Sequence, residues 1–480
     1  AQASHLIFPY KEKRSCRNGS FFFAHSFFSH SRVNYCYYFF HKYVIVHTLE
    51  EKKSMYSKND VAPFPPMGWN SYDYYDTTVT EKDVRANADY MAKHLKQFGW
   101  QYIVIDIQWS DPDAGTKRPE VQYIPFSHFC MDDYSRQIPA PNRFPSSAGG
   151  RGFAPLAEYI HSLGLKFGIH IMRGIPRICA HNHTKIYGTS YTADQIANPF
   201  SISRWNGDMY GVDASKPGAQ EYYDSVFALY ASWGVDYVKV DDICNTNMYP
   251  HDPYSAEKEI ELIANVIEHS GRGMVLSLSP GPAVIEKAWH LEKYANMWRI
   301  TDDFWDTWPL LKNMFERCEV WQRHVGNGNW PDCDMLPLGN LGKGFGNIWH
   351  TRFTPEEQHT MLSLWCIFRA PLMIGTDLPD LDESTKELLT NSDVLALEKE
   401  SHGAFQVMRN EKQCVWASYG NGCPAKGMTL NLALFNLSDE AADVQVSLRE
   451  ISGVSEGQLY TVRDLWNKKD LFPLQGNALL

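Results

Sequence analysis

The sequence predicts an α/β fold, a (β/α)8 TIM barrel followed by a C-terminal antiparallel β-sandwich domain. Strand-like and helix-like segments alternate eight times between Pro63 and about Leu397, which is typical of a barrel of parallel strands. Acidic residues follow several of the strand-like segments, at the end of a barrel where functional groups gather. Beyond Leu397 the segments are short, alternating and separated by Gly and Asn, which indicates antiparallel strands. A doubly wound sheet is the alternative, but it rarely needs eight units.

The predicted barrel strands can be placed in order along the chain. They are residues 67–75, 100–106, 164–171, 237–242, 274–281, 297–303, 334–340 and 371–378. The first is followed by an amphipathic helix, which places Val84, Ala88, Met91 and Leu95 on one face. A long excursion rich in Pro, Ser and Gly, residues 110–151, follows the second strand.

The domain boundaries follow from these patterns. We expect the catalytic barrel over residues 63–397 and the sandwich over residues 398–480. The sandwich ends without an obvious closing strand, and a truncated C-terminus is one interpretation of this. Residues 1–54 mix Phe, Tyr, His and Lys without a regular period, and we interpret them as a non-native or disordered extension. They contain no credible signal peptide, so the compartment stays open, with a lean to the cytoplasm.

Composition excludes several classes of partner. The formal net charge is −11 at pH 7 and no long basic run occurs after residue 54, so we expect no nucleic-acid partner. No apolar stretch is long enough to span a membrane, so we expect no membrane partner. The ten cysteines include no CxxC pair, which argues against a zinc cluster. The aromatic share of 14% mostly fills cores, but it also suits sugar binding, because the C–H faces of pyranoses pack on aromatic rings.

Two apolar runs about sixty residues apart end in paired aspartates. YVKVDD, residues 237–242, contains Lys239, and MWRITDD, residues 297–303, contains Arg299. Lys239 lies two residues before Asp241, so both side chains point to the same face of the strand. The ammonium group would keep the Asp241 carboxylate ionised.

The second run suggests a carboxyl group that is protonated rather than ionised. Asp303 is flanked by Trp298, Trp305 and Trp308, whose low polarity would raise its pKa and keep it protonated. Arg299 would orient a carboxylate or a sugar hydroxyl with its forked donors. One ionised and one protonated carboxyl about 5–5.5 Å apart are what a retaining glycosidase requires. The two runs therefore predict cleavage of a glycosidic bond.

More polar residues stand at predicted strand ends than one reaction needs. They are Asp73, Asp106, His170, Lys239, Asp241, Asp242, Ser279, Arg299, Asp302, Asp303, Asp334 and Asp377. An Asp just after a strand often caps the next helix, which is an equally good interpretation for any single one of them. Because consecutive residues point apart, we expect Asp242 and Asp302 to cap loops or support their neighbours.

The motifs together resemble glycoside hydrolase family 27, the α-galactosidases and α-N-acetylgalactosaminidases of clan D. The resemblance is carried by MGWNSYDYY at 67–75, YVKVDDIC at 237–244, WRITDDFWDTW at 298–308, DCDMLPLGN at 332–340 and LWCIFRAPLMIGTDL at 364–378. It implies a (β/α)8 barrel with a C-terminal β-sandwich, retention of configuration, and neither a metal nor an organic cofactor. Carried over position by position, it implies Asp241 as nucleophile and Asp303 as acid/base. The implied substrate-binding residues are Tyr72, Asp106, His170, Lys239, Ser279, Arg299 and Asp334.

Three positions depart from the family's pattern. Ile107 stands where a second consecutive aspartate holds a sugar hydroxyl, His170 where a Tyr is common, and Ser279 where galactose-specific members often carry a bulkier group. We expect the release of terminal α-D-galactosyl residues from galactosides. The alternatives on the same scaffold are an α-N-acetylgalactosaminidase, since a small Ser279 leaves room for an N-acetyl group, and a β-L-arabinopyranosidase.

Two other classes of protein are weighed against a glycosidase. A non-catalytic sugar-binding protein would be favoured by the loss of a key carboxylate, and neither is lost. A metal-dependent hydrolase would use Asp241, Asp242, Asp302 and Asp334 as ligands, but the neighbouring cations Lys239 and Arg299 would repel a metal ion.

The resemblance also raises the question of a disulfide. Family members often tie the loops after the third and fourth strands in this way, and Cys179 and Cys244 lie close to those places. A bridge and two free thiols both stay open, as does the oligomeric state.

Overall fold

The computed structural model describes residues 35–40, 43–48, 56–124, 126–246, 251–420 and 429–478. The chain divides into two units, residues 1–54 and 55–480. In the first unit, Tyr35–Phe40 and Tyr43–Thr48 pair as antiparallel strands. The rest of this unit lies outside the described residues, so the expected non-native or disordered extension stays a prediction.

Eight parallel strands form the central sheet of the second unit. They are β1 (Met67–Asn70), β2 (Tyr102–Ile105), β3 (Lys166–Met172), β4 (Tyr237–Asp241), β5 (Val275–Leu278), β6 (Met297–Arg299), β7 (Trp330–Asp332) and β8 (Leu372–Ile374). Neighbours pair in chain order from β1 to β7, and β8 pairs with β1. Just past β7, Leu336 pairs in parallel with Ile374 of β8, which closes the ring. The predicted TIM barrel is confirmed.

A helix follows each barrel strand. The eight are α1 (Glu81–Tyr90), α2 (Ala154–Ser162), α3 (Ala219–Trp233), α4 (Glu257–His269), α5 (Ala288–Tyr294), α6 (Trp308–Trp321), α7 (Pro355–Phe368) and α8 (Glu383–Leu389). In α3 the buried residues Tyr222, Val226 and Tyr230 recur every four positions, which gives the helix one apolar face. Gly234, in the left-handed conformation at φ 82°, ends the helix and turns the chain toward β4.

Alternation along each strand decides which side chains reach the inside of the barrel. Tyr102 and Val104 of β2 belong to an inner apolar cluster, whereas Ile103 belongs to the main core outside the barrel. Because successive side chains point to opposite faces, the inward series of β2 continues to Asp106. The same rule directs Asp241, at the end of β4, into the mouth of the barrel.

The seventh strand does not lie where the sequence predicts it. The prediction is residues 334–340, but β7 precedes them, and the chain after β7 is irregular, with a positive φ of 75° at Asp334. Within the predicted segment, Leu336 alone among the described residues pairs with β8. The proline in the middle of β7 conceals the strand, because proline lacks the N–H that inner strands use.

Three antiparallel strands begin the C-terminal part, β9 (Ser401–Arg409), β10 (Gln413–Gly420) and β11 (Leu430–Asn436). Two short pairs follow, Leu459–Tyr460 with Leu474–Gln475 and Arg463–Asp464 with Lys469–Asp470. Val415 of β10 packs in a separate buried cluster with Val446, Leu448 and Ile451, which lie between β11 and the first short pair. The predicted antiparallel sandwich is confirmed, while the boundary between 397 and 398 and the truncated end stay predictions.

Candidate active site

A cavity of about 250 Å³ opens at the carboxyl ends of the barrel strands. Its wall contains seven of the nine predicted site residues, Tyr72, Asp106, Lys239, Asp241, Arg299, Asp303 and Asp334. It also contains Asp73, Ile107, Gln122, Tyr123, Trp205, Pro280, Asp302, Phe304, Trp305 and Met335. The structure therefore brings the two predicted catalytic carboxyls to one cavity.

Asp241 is the last residue of β4, and each of its carboxylate oxygens has a partner. His170 Nε2 lies 3.0 Å from Oδ2, and the backbone N–H of Asp242 donates to Oδ1 at 2.8 Å. Burial opposes ionisation, but the hydrogen bond and charge of His170, together with the charge of Lys239, hold the pKa of Asp241 below its usual value. An ionised carboxylate with a fixed orientation is suited to act as a nucleophile.

Asp106 follows β2 and pairs with Lys239 of β4. The Lys239 Nζ lies 2.9 Å from Asp106 Oδ2, and Asn70 Nδ2 donates to the same oxygen at 2.7 Å. Burial alone would raise the pKa of Asp106 and lower that of Lys239, but their attraction reverses both shifts. Both groups are therefore charged at neutral pH, and they present a fixed acceptor and donor to the cavity.

Asp303 stands at the mouth of the cavity, four residues beyond the end of β6. Its side chain is 59% exposed and lies 3.1 Å from Arg299 Nη2. The expectation that three tryptophans enclose it is wrong. Trp298 is fully buried in the main core, Trp308 begins α6, and Trp305 is the one of the three that lines the cavity. The carboxyl group is thus open to solvent.

Arg299 contacts two carboxylates at once. Besides Asp303, it reaches Asp334, whose Oδ1 lies 3.0 Å from Arg299 Nη1. The other oxygen of Asp334 accepts the backbone N–H of Phe304 at 2.8 Å. These contacts tie the loop after β6 to the segment after β7. Within the described part of the chain the buried Arg299 Nε has no hydrogen-bond partner, which leaves one donor unused.

Two predicted substrate-binding residues are not part of the cavity wall. His170 is buried and contacts the Asp241 carboxylate, and its contact with substrate stays a prediction. Ser279 is also buried, and Pro280 lines the cavity in its place. The main-chain carbonyl of Ser279 accepts hydrogen bonds from the loop after β4, which holds the residue in the scaffold. That its small side chain shapes the sugar pocket stays a prediction.

In each pair, the aspartate that is not a predicted catalyst, Asp242 or Asp302, has structural contacts of its own. Asp242 has a positive φ of 55° and turns away to pair with Arg173 at 3.0 Å. Arg173 also pairs with Glu259 at 3.0 Å. Burial, partly offset by Arg173, raises the pKa of Asp242 to about 7. Asp302 lines the cavity and accepts the next backbone N–H at 2.9 Å.

Asp73 is a wall residue that the sequence analysis did not assign to the site. It is buried, and among the described groups its Oδ2 has no hydrogen-bond partner. Burial and the nearby charge of Asp334 raise its pKa well above the usual value. The signal available in the sequence was the position of Asp73 shortly after β1, among the acidic residues at predicted strand ends.

Gln122, Tyr123 and Trp205 were also missed. They reach the cavity from the long segments after β2 and β3, of which the second contains a small antiparallel sheet. The available signal was the presence of aromatic residues in unusually long loops at the carboxyl end of a barrel, where such loops commonly build binding sites.

The acids expected of a metal-dependent hydrolase do not converge. In the described ranges, the one group of side chains close enough to share a metal ion is Glu257, Glu261 and His290, which is outside the cavity wall. Lys287 already contacts Glu257 at 2.7 Å. The four predicted ligand aspartates form no such group in that part of the chain.

Two further observations concern the cysteines and the helices of the described residues. The thiols of Cys179 and Cys244 are both buried and free, so the structure contains no bridge between them. None of the helices that the structure describes is long and apolar enough to cross a membrane.

Comparison with known proteins identifies both parts of the chain. Residues 211–400 match the family model for alpha galactosidase A, and residues 421–479 match the model for the alpha galactosidase C-terminal beta sandwich domain. Alpha-galactosidase 3 of Arabidopsis thaliana is 28% identical over 428 residues, which span 87% of this chain and 80% of the relative.

Two solved structures are more similar. A GH27 β-L-arabinopyranosidase from Geobacillus stearothermophilus is 51% identical with a TM-score of 0.82, and the match covers 88% of this chain and 94% of that one. A Bacillus halodurans protein provisionally described as an α-N-acetylgalactosaminidase is 48% identical with a TM-score of 0.76, over 87% and 93% of the two chains. The chain therefore belongs to glycoside hydrolase family 27, a family of glycosidases.

Proposed function

We propose that this protein is a retaining glycosidase that releases terminal β-L-arabinopyranosyl residues, with α-D-galactosides as poorer substrates. The observation that carries the proposal is Ile107, an aliphatic side chain in the cavity wall directly after the charged Asp106. This order reverses the expectation from sequence, in which galactosides came first, but keeps the same reaction.

The two sugars differ at one position. They share the arrangement of ring hydroxyls, and galactose carries a hydroxymethyl group that arabinopyranose lacks. We infer that Ile107 faces this group, because it stands where the family resemblance implies a hydroxyl-binding aspartate. A hydroxyl packed against Ile107 would lose water without gaining a partner, which costs about 1–3 kcal/mol. A sugar without the hydroxymethyl group avoids this cost.

The proposed reaction proceeds by two displacements. The Asp241 carboxylate attacks the anomeric carbon while Asp303 protonates the glycosidic oxygen, so the C–O bond breaks and the alcohol leaves. Asp303, now ionised, takes a proton from a water molecule that attacks the same carbon and releases Asp241. The sugar leaves with its original configuration. The exposure of Asp303 supports this role, because its carboxyl must lose and regain a proton in each cycle.

The relatives support both candidate substrates. A variant of the 51% identical arabinopyranosidase was solved in complex with arabinose, which favours the first. Plant relatives named alpha-galactosidase are 25–28% identical, which keeps galactosides as the second candidate. An α-N-acetylgalactosaminidase is the third candidate, because Ser279 is buried and Pro280 lines the cavity beside it.

A panel of p-nitrophenyl glycosides tests the proposal. We expect kcat/KM for the β-L-arabinopyranoside to exceed that for the α-D-galactopyranoside by about 10- to 100-fold, and the α-N-acetylgalactosaminide to be slowest. Ile107→Asp should raise the galactoside value and lower the arabinoside value, whereas Ile107→Val, the matched aliphatic control, should keep the preference. A wild-type preference for the galactoside would select the second candidate, and no hydrolysis of any of the three would contradict both.

A further inference from the structure

Asp73 is a carboxyl group in the cavity wall that takes no part in the proposed reaction. It is 4% exposed, and its Oδ2 has no hydrogen-bond partner among the described groups. Buried polar atoms are nearly always hydrogen-bonded in proteins, so an unpaired one in a cavity wall is available to a bound ligand. We propose that Asp73 is a substrate-binding residue whose uncharged carboxyl group donates a hydrogen bond to a ring hydroxyl of the glycone. The inference rests on the proposed glycosidase function and adds a contact that selects the sugar.

The two cations of the cavity wall are paired with other carboxylates. Lys239 Nζ lies 2.9 Å from Asp106 Oδ2. Arg299 divides its two terminal nitrogens between Asp303, at 3.1 Å, and Asp334, at 3.0 Å. Within the described residues, neither cation forms an ion pair with Asp73. Because an unpaired carboxylate is costly to bury, the group keeps its proton. A protonated carboxyl group has an O–H that can donate a hydrogen bond.

The charges around Asp73 favour the same protonation state. Burial raises the pKa of Asp73 well above its usual value, and the carboxylate of Asp334 raises it further. Lys239 acts in the opposite direction, whereas Asp303 and Asp106 again raise the pKa. The acids therefore outweigh the single cation that faces this group. A carboxylic acid that its surroundings keep neutral can serve as a hydrogen-bond donor at neutral pH.

The neighbouring chain segments hold this carboxyl group in place. Asp73 lies three residues after the end of β1, and its backbone carbonyl accepts a hydrogen bond from the N–H of Gly342 at 2.9 Å. Gly375, directly after β8, leaves room for the side chain, since a Cβ there would lie 2.3 Å from Asp73 Oδ2. The donor is therefore positioned before a substrate arrives, which lowers the entropic cost of binding.

Glu398 provides a matched control outside the cavity. It is fully buried, and burial raises its pKa well above the usual value, as it does for Asp73. It is absent from the cavity wall, so it cannot meet a substrate there. Glu398→Gln therefore makes the same exchange of acid for amide in a buried position without touching the site.

The test combines substitutions of Asp73 with substrates that lack one hydroxyl group. Asp73→Asn keeps an uncharged donor of the same shape, and Asp73→Leu keeps the size without a donor. Asp73→Ala takes the place of the leucine variant if thermal unfolding shows that the latter is not folded. The substrates are p-nitrophenyl β-L-arabinopyranoside and its 2-, 3- and 4-deoxy forms, with the corresponding α-D-galactopyranosides measured alongside.

We expect Asp73→Asn to keep kcat/KM within about threefold of the wild type, and Asp73→Leu to lower it at least about tenfold on the parent glycoside. For the one deoxy substrate that lacks the partner hydroxyl, the loss caused by Asp73→Leu should be at least about fivefold smaller. Glu398→Gln should change none of these values.

Three results would overturn the contact. They are near-normal turnover by Asp73→Leu, a loss in Asp73→Asn as large as in Asp73→Leu, and equal losses on the parent and on all three deoxy substrates. The last of these would indicate a purely structural role. If the wild type hydrolysed neither parent glycoside, the proposed function itself would fail.

Discussion

Asp241 and Asp303 share one cavity, but their surroundings differ. Asp241 ends a barrel strand, its side chain is 13% exposed, and both of its oxygens accept hydrogen bonds. Asp303 lies on a loop, is 59% exposed and contacts Arg299. Fixed donors keep a carboxylate charged and aimed, whereas contact with water allows a proton to come and go. In the proposed reaction, the position of Asp241 within the barrel sheet and of Asp303 on a loop beyond it therefore distinguishes the nucleophile from the acid.

The largest loss of activity should follow from removing the negative charge of Asp241. We expect Asp241→Asn to lower kcat by about 10⁴-fold or more, because the amide cannot form the glycosyl ester. The measurement is turnover of the p-nitrophenyl glycoside that the wild type prefers. Asp242→Asn makes the same change one residue later and should retain at least a tenth of the activity. Near-normal turnover by Asp241→Asn would overturn the assignment.

For the exposed Asp303, the loss of activity on substitution should depend on the leaving group of the substrate. We expect Asp303→Asn to lower kcat/KM by about 10²–10⁴-fold for a disaccharide, whose sugar alkoxide must be protonated as it departs. A glycosyl fluoride needs no proton from the enzyme, so its kcat/KM should fall far less. The two substrates measured on one preparation serve as each other's control. Losses of the same size on both would show that Asp303 is not the acid.

A third experiment targets the anchoring of the loop after β4. Arg173→Met leaves the carboxylates of Asp242 and Glu259 buried without their cation, and we expect the free energy of unfolding to fall by about 3–5 kcal/mol. Urea denaturation measures the change. Arg409→Met breaks an exposed pair with Glu319 and should cost less than about 1 kcal/mol. Equal costs for the two variants would mean that the buried network does not hold this loop.

The smallest loss of activity should follow from substituting His170, which contacts the Asp241 carboxylate. His170→Phe removes the hydrogen bond to Asp241, so the pKa of that carboxyl should rise. Since the carboxylate must be ionised to attack, the acid limb of the pH profile of kcat/KM should move to higher pH. We expect a loss of about tenfold at the wild-type optimum. His170→Gln keeps a donor and should shift the limb less, whereas unchanged limbs in both variants would contradict the contact.

Much of the fold and the inner site could be predicted from the sequence, because both depend on local periodicity. Apolar runs of strand length located seven of the eight barrel strands, and alternation within a run directs Asp106, Lys239 and Asp241 into one space. The proline in β7 removed this signal for the remaining strand.

The surroundings of a side chain were harder to predict, because neighbours in sequence need not share an environment. Trp298 faces the outer core while Asp303 faces water, although only four residues lie between them in the chain. His170 contacts the Asp241 carboxylate, which the sequence did not predict. Trp205 enters the cavity from a long loop, whose path depends on tertiary contacts that no local pattern encodes.

The way in which the barrel closes between β7 and β8 affects which residues of the cavity wall can be substituted. The chain leaves the ladder after β7 and rejoins it at Leu336, whose N–H and C=O both bond to the chain around β8. The detour carries Asp334 and Met335 into the cavity wall. Because Met335 takes no part in strand pairing, its side chain can be exchanged without opening the ring. The segment between β7 and Leu336 therefore offers a position at which substitutions, in evolution or by design, can change the sugar preference while the barrel stays intact.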